Sequence, residues 1–248
     1  MTSTALRAPL AALAFLTRIP IGGRVSLDAR DVARGAVLFP LVGGAVGGVC
    51  GLVADALAGP LPPLVAGGLA VGLAAVITGA MHLDAVADTA DALGGRSRDR
   101  SLEIMRDHAV GAFGAVALVL VCLVDAASLG ALGSDDDAAL VGLAAGAGGR
   151  AAILPLALVL PYARAGEGQG RVLDGIGPAT VVVGLGLAVV LALPAGTAGL
   201  AGLGSAAVVT AALGLYWRRW LGGVTGDLLG ATAKLAETAI LVTALAVL

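Results

Sequence analysis

Long apolar runs, separated by short polar stretches, repeat along this chain. They occupy 35–58, 64–81, 110–132, 138–160, 179–193, 195–216 and 224–248, the fifth being the shortest. A helix rises about 1.5 Å per residue, so roughly twenty apolar residues cross the ~30 Å hydrocarbon core of a bilayer. No period-two alternation is sustained, which argues against a strand-built barrel. The pattern predicts an all-α, polytopic integral membrane bundle of about seven transmembrane helices, in one domain covering 1–248. The first apolar stretch, "TALRAPLAALAFLTRIP", has the look of a secretory leader. Arg18 and Pro20 stand where small cleavage-site residues belong, so it is expected to remain as an interfacial helix.

Composition agrees with a lipid environment. Hydrophobic residues make up 58% of the chain and charged ones 13%, far from the balance of a soluble domain. The net charge is −2 and no basic block exists, so nucleic acid is not an expected partner. Cys50 and Cys122 stand singly in apolar stretches, without the spacing of a disulfide framework or a zinc site. Tyr216, Trp217 and Trp220 cluster as residues at a membrane interface do. Glycines four apart, such as Gly43 with Gly47, Gly44 with Gly48 and Gly142 with Gly146, predict close helix packing.

Positive charges give the chain a direction. Arg7, Arg18, Arg24, Arg30 and Arg34 precede the first span, Arg96, Arg98, Arg100 and Arg106 lie between the second and third, Arg164 and Arg171 follow the fourth, and Arg218 and Arg219 follow the sixth. The intervening loops at 60–63, 133–137 and Pro194 hold no Lys or Arg. Cytoplasmic loops collect such residues. The N-terminus is therefore expected in the cytoplasm and the C-terminus outside, in a multi-pass protein of the inner (cytoplasmic) membrane.

The second span ends on "MHLDAVADTADALGG", which carries Asp84, Asp88 and Asp91. At about 100° per residue the three fall within one narrow helix face. Like charges at this spacing cost roughly 0.2–0.5 kcal/mol per pair, so the stripe asks for a cation. Mg²⁺ fits, because a hard ion held by a few carboxylates keeps positions for water and phosphate oxygens. The plain alternative is a solvated acidic face with Asp84 as a cap. His82 is open between ligand, base and interfacial side chain. The catalytic loop is placed at about 82–108, a cytoplasmic Asp-rich helical segment. Its arginines, with Asp107 and His108 beyond them, are the partners that phosphoryl transfer uses beside a carboxylate-held metal. Arg150, Lys234 and Glu237 lie inside predicted spans, where ionisable groups are costly and default to a functional reading. Lys234 and Glu237, three residues apart, are also placed to neutralise one another. Asp227 enters the seventh span from the side of the stripe, either as a first-turn acid or as part of the site.

These blocks resemble one family. "FLTRIP", "FPLVGG", "HLDAVADTADALGG", "MRDHAVGAFG", Arg150 with "PYARAGEGQGR", and "GDLLGATAKLAE" follow in the order of cobalamin synthase, the adenosylcobinamide-GDP ribazoletransferase family. The resemblance implies a Mg²⁺-dependent transferase that joins adenosylcobinamide-GDP to α-ribazole, or its 5′-phosphate, and releases GMP. It implies that Asp84, Asp88 and Asp91 hold the metal. Arg106, Arg150, Arg164 and Asp227 would bind substrate, with catalytic duties among His82, Asp88 and Asp107. Ala85 and Ala92 stand where the family's aspartate block is expected to carry glycine, and Lys234 is an unexpected cation. Two other readings compete: a Mg²⁺-dependent prenyl-transferring membrane enzyme, which needs a second acidic motif, and a corrinoid or ion carrier lined by Arg150, Lys234 and Glu237. Association into a homo-oligomer is left open by the sequence.

Overall fold

The structure, a computed structural model, describes residues 4–21, 27–107, 109–135, 137–164 and 169–248. Arg24, His108 and residues 165–168 lie outside the described residues. Eleven α-helices follow in order among the described residues: α1 (Thr4–Leu16), α2 (Ala29–Gly35), α3 (Phe39–Ala58), α4 (Pro63–Thr78), α5 (Met81–Ala92), α6 (Arg98–Ile104), α7 (Ala112–Ser134), α8 (Ala138–Val159), α9 (Pro178–Ala192), α10 (Gly196–Leu221) and α11 (Gly226–Val247). The described residues form no strand; Tyr162 and Val224 make one isolated bridge.

Each predicted span corresponds to a helix, but the spans are not all separate. Five helical runs are long and apolar enough to cross a membrane, and α4 with α5 makes a sixth if that bent pair is counted. The run Pro178–Leu221 holds two predicted spans in 44 residues. At ~1.5 Å per residue it would be about twice the membrane's thickness if straight. It reverses at residues 193–196, where Gly196 takes a left-handed φ of +58°, and α9 and α10 then pack together through Ala188, Leu191 and Leu203. With 15 residues, α9 is itself a short span.

The central helix is α8, buried along almost its whole length and packed on α3, α9, α10 and α11. Glycine allows its closest approach. A Cβ on Gly146 would stand 2.1 Å from the Gly43 carbonyl oxygen, and one on Gly47 would stand 2.0 Å from the Gly142 oxygen. Two backbones thus meet with no side chain between them, as the spacing of small residues predicts. Gly146→Ala is expected to force α3 and α8 apart and cost about 1–3 kcal/mol, the usual range for overpacking. Chemical denaturation in detergent micelles measures it, and an unchanged midpoint would overturn the packing argument.

Two features at the ends of the bundle position the site. At one end Asp55 of α3 accepts the amides of Ala138 and Ala139 at 3.0 and 2.9 Å, capping the start of α8. At the other end the arginine-rich loops converge. Arg98 donates from Nε to the Leu221 carbonyl at 2.9 Å and from Nη2 to the Ala163 carbonyl at 2.6 Å. One planar guanidinium thereby ties together the loops after α5, α8 and α10. The expectation that these loops share one side of the bundle is met.

Candidate active site

The acidic helix leaves the bundle axis at an elbow. Gly79 and Ala80 are both left-handed, with φ of +65° and +57°, and α5 departs from α4 by 94°. Glycine takes this conformation freely, whereas Ala80 does so at a cost of roughly 1–2 kcal/mol. The bend stops the apolar run and turns α5 across the face of α11, out of the set of spans. Contact between them is close: a Cβ on Gly230 would lie 2.7 Å from the Ala85 Cβ. A small residue at 85 suffices here because the partner is glycine.

The three aspartates do not all serve one point. Asp91 accepts the amide of Gly111 at 2.7 Å on one oxygen and that of Gly114 at 2.8 Å on the other. These are the first amides of α7, the positive end of its dipole, where a carboxylate is favoured. Both glycines leave room for it, since a Cβ on either would approach an Asp91 oxygen to 2.5 or 2.3 Å. Asp91, expected as a third metal ligand, therefore moors α5 to α7.

Asp84 and Asp88 face a different neighbour. Burial first, then the charges of Asp84 and Asp227, push the Asp88 carboxyl up to about 7, against a smaller opposing pull from Arg164. Asp84 is exposed and Asp88 half-buried. Asp84 lies in the first turn of α5, whose cap position is Ala80, so it is not the cap. Asp227 sits in the first turn of α11, behind the Thr225 hydroxyl that caps the Leu228 amide at 3.2 Å. It pairs with Arg164 Nη2 at 2.7 Å. The Arg164 Nε is buried and finds no acceptor among the described residues. Two carboxylates of α5, one of α11 and a cation from the loop after α8 thus form one polar patch.

Arg106 and Asp107 are exposed at the end of α6, on the loop that leads to Gly111. Asp107 Oδ1 accepts the Ala109 amide at 3.1 Å. Of the other loop arginines, Arg98 is committed to backbone carbonyls and Arg100 pairs with Glu103 at 2.7 Å. The Met105 sulfur, buried beneath the loop, accepts the Thr225 hydroxyl at 3.8 Å.

His82 and Arg150 lie elsewhere. His82 stands about 200° around α5 from Asp84, and it lines a cavity of about 50 Å³ with Cys50, Thr78, Arg150, Lys234 and Glu237. Its Nδ1 is buried and has no partner among the described residues. Arg150 pairs with Glu237, Lys234 Nζ lies 2.6 Å from Glu237 and 2.5 Å from Asp125, and Thr238 donates to Asp125 at 2.7 Å. Two cations and two anions from α7, α8 and α11 close a net-neutral knot. The predicted Lys234–Glu237 pairing is present, and Asp125 is a member the sequence reading overlooked. Its signal was a lone acid inside an apolar span. A volume of about 50 Å³ holds one or two waters, which does not suit the passage of a corrinoid.

The donor chemistry of the patch suits Mg²⁺ in a particular way. Among the described residues no three His, Cys, Asp or Glu side chains form a ready-made metal cage. Asp84 and Asp88 are hard oxygen donors whose mutual repulsion a cation relieves. Mg²⁺ commonly takes one or two carboxylates and completes its shell with water and phosphate oxygens.

The chain matches known proteins over nearly its full length. Residues 8–245 match the family described as cobalamin-5-phosphate synthase. Proteins named adenosylcobinamide-GDP ribazoletransferase are similar to it. That of Syntrophobacter fumaroxidans is 39% identical over 238 residues, covering 93% of this chain and 94% of its own. The one from Escherichia coli is 40% identical over 240 residues, covering 93% and 96%. Another, from Pseudomonas aeruginosa, is 40% identical over 240 residues, covering 96% and 97%. No solved structure matches. With both the family match and these relatives extending across the bundle and its acidic patch, the chain belongs to the cobalamin-5-phosphate synthase family and is a membrane transferase.

Proposed function

We propose that the protein joins adenosylcobinamide-GDP to α-ribazole, or to α-ribazole 5′-phosphate, and releases GMP, at the patch formed by Asp84, Asp88, Asp227 and Arg164. The observation that carries the site is the meeting of carboxylates from α5 and α11 around one arginine, with the Asp88 carboxyl pushed up to about 7 by burial and then by its acidic neighbours. A ribazole hydroxyl oxygen forms a bond to the cobinamide-side phosphorus. The bond from that phosphorus to the bridging oxygen breaks, and GMP departs with the bridging oxygen. The hydroxyl proton passes to a carboxylate of the patch.

Asp84 and Asp88 would hold Mg²⁺, which when bound offsets charge on the diphosphate oxygens. Arg164, whose Nη2 pairs with Asp227, brings its guanidinium to the patch, where it would bind a phosphate oxygen. Arg106 and Asp107 border the patch from the loop after α6 and would contact the departing nucleotide. Asp91 fixes the pitch of α5 through α7. The knot around Arg150 supports this frame from inside, and His82 packs against it.

The arginine-rich loops share one end of the bundle with the patch. That distribution supports a site facing the cytoplasm from the inner membrane. A prenyl-transferring enzyme is less well supported, because the second helix contributes a single acid, Asp227, and not a second acidic motif. Protein reconstituted in vesicles and given adenosylcobinamide-GDP, α-ribazole and Mg²⁺ is expected to release one GMP per corrinoid product. Folded protein that releases none, with either ribazole form, would overturn the reading.

A further inference from the structure

A groove of about 680 Å³ runs between α8, α9 and α10, and none of the patch residues lines it. Its walls include Leu156, Val159, Leu185, Val189, Ala207 and Ala211. Only two lining residues are polar, Thr210 and Arg218. The Thr210 hydroxyl is already satisfied by the Ala206 carbonyl at 2.7 Å. Arg218 is exposed in the last turn of α10, so the groove has one charged end and no other polar demand.

We propose that this groove binds one anionic phospholipid, with an acyl chain along α10 and the headgroup phosphate at Arg218. Length supports the fit: from Leu203 to Arg218, α10 advances ~22 Å at about 1.5 Å per residue, enough for the ~15 Å that one leaflet contributes to a ~30 Å core and for the headgroup region beyond it. The inner end is closed by the packing of Ala147, Ala151, Ala188, Leu191 and Leu203. The outer end lies at headgroup level, where Tyr216 stacks on Trp220 with centroids 5.6 Å apart. A nucleotide or corrinoid would find, besides Arg218 at one end, no groups here to orient its many polar atoms. A lipid phosphate complements the single guanidinium.

Native mass spectrometry of the whole chain in detergent tests this, with phosphatidylglycerol or phosphatidylcholine of matched chains added. One phosphatidylglycerol should be retained, about fivefold in preference to phosphatidylcholine. Arg218→Gln should remove that preference, while Arg219→Gln, the same change of charge on a neighbour that does not line the groove, should keep it. Ala207→Phe, or the milder Ala211→Leu, should reduce retention of both lipids in protein that circular dichroism shows to be helical. Equal retention of the two lipids would overturn the proposal. So would equal losses from Arg218→Gln and Arg219→Gln, undiminished retention in both filled-groove variants, or a second protomer seated in place of lipid.

Discussion

Asp88→Asn is expected to lower the rate of GMP release by about 10²–10³-fold, the range for losing one charge that acts at the reacting group. Stability should move the other way. Asp88 is crowded by Asp84 and Asp227, so removing its charge relieves repulsion, and the denaturation midpoint should hold or rise. Asp91→Asn sets the contrast. Its carboxylate caps the first amides of α7, so its loss should cost about 0.5–2 kcal/mol of stability, with activity falling only as far as α5 shifts. Measuring both quantities for both variants separates a chemical role from an anchoring one. If Asp88→Asn kept near-normal turnover, Asp84 and Asp88 would be no more than a solvated acidic face.

Lys234→Met should be the most destabilising single change in the bundle. Lys234 and Asp125 are 7% and 1% exposed, and Arg150 beside them is 6% exposed. Removing one member of a buried ion pair typically costs 3–5 kcal/mol, because the abandoned charge keeps its desolvation penalty. Here Asp125 and Glu237 would share Arg150 alone. Pairing the change with Asp125→Leu removes the stranded carboxylate, so the double variant should recover a large part of the loss. Unfolding titrations of both singles and the double in detergent supply the cycle. Additive effects would show that the salt bridge contributes nothing as a pair.

How much of this was legible in the sequence depends on the kind of force involved. Hydrophobic length locates helices, and each predicted apolar run is helical within a few residues, because bilayer thickness and backbone hydrogen bonding leave few alternatives. The place where the second run gives way to the aspartates is marked by the elbow at Gly79 and Ala80. Helix spacing also anticipated that Gly43, Gly47, Gly142 and Gly146 would lie at a close crossing. It could not say that they pair with each other, which depends on which helices are neighbours. Periodicity put Asp84, Asp88 and Asp91 on one edge of α5. Only the placement of α7 and α11 reveals that this edge meets two partners, so Asp91 turns to amides while Asp84 and Asp88 turn to Asp227. The knot was half legible: Lys234 and Glu237 announce themselves by their spacing, whereas Asp125 is a single acid whose partners arrive from another helix. Nothing local to Arg98 distinguishes a guanidinium bound for carbonyls from one in a solvated cytoplasmic loop or one that faces phosphate.

The packing of α5 on α11 has a consequence for biogenesis. Asp84 on α5 emerges from the ribosome well before Asp227 and the floor beneath the patch, which belong to α11. A nascent chain inserted through α10 would carry its acidic helix unpartnered, with no competent surface for a charged ester. If the patch is the active site, activity is expected only once α11 has been inserted against α5.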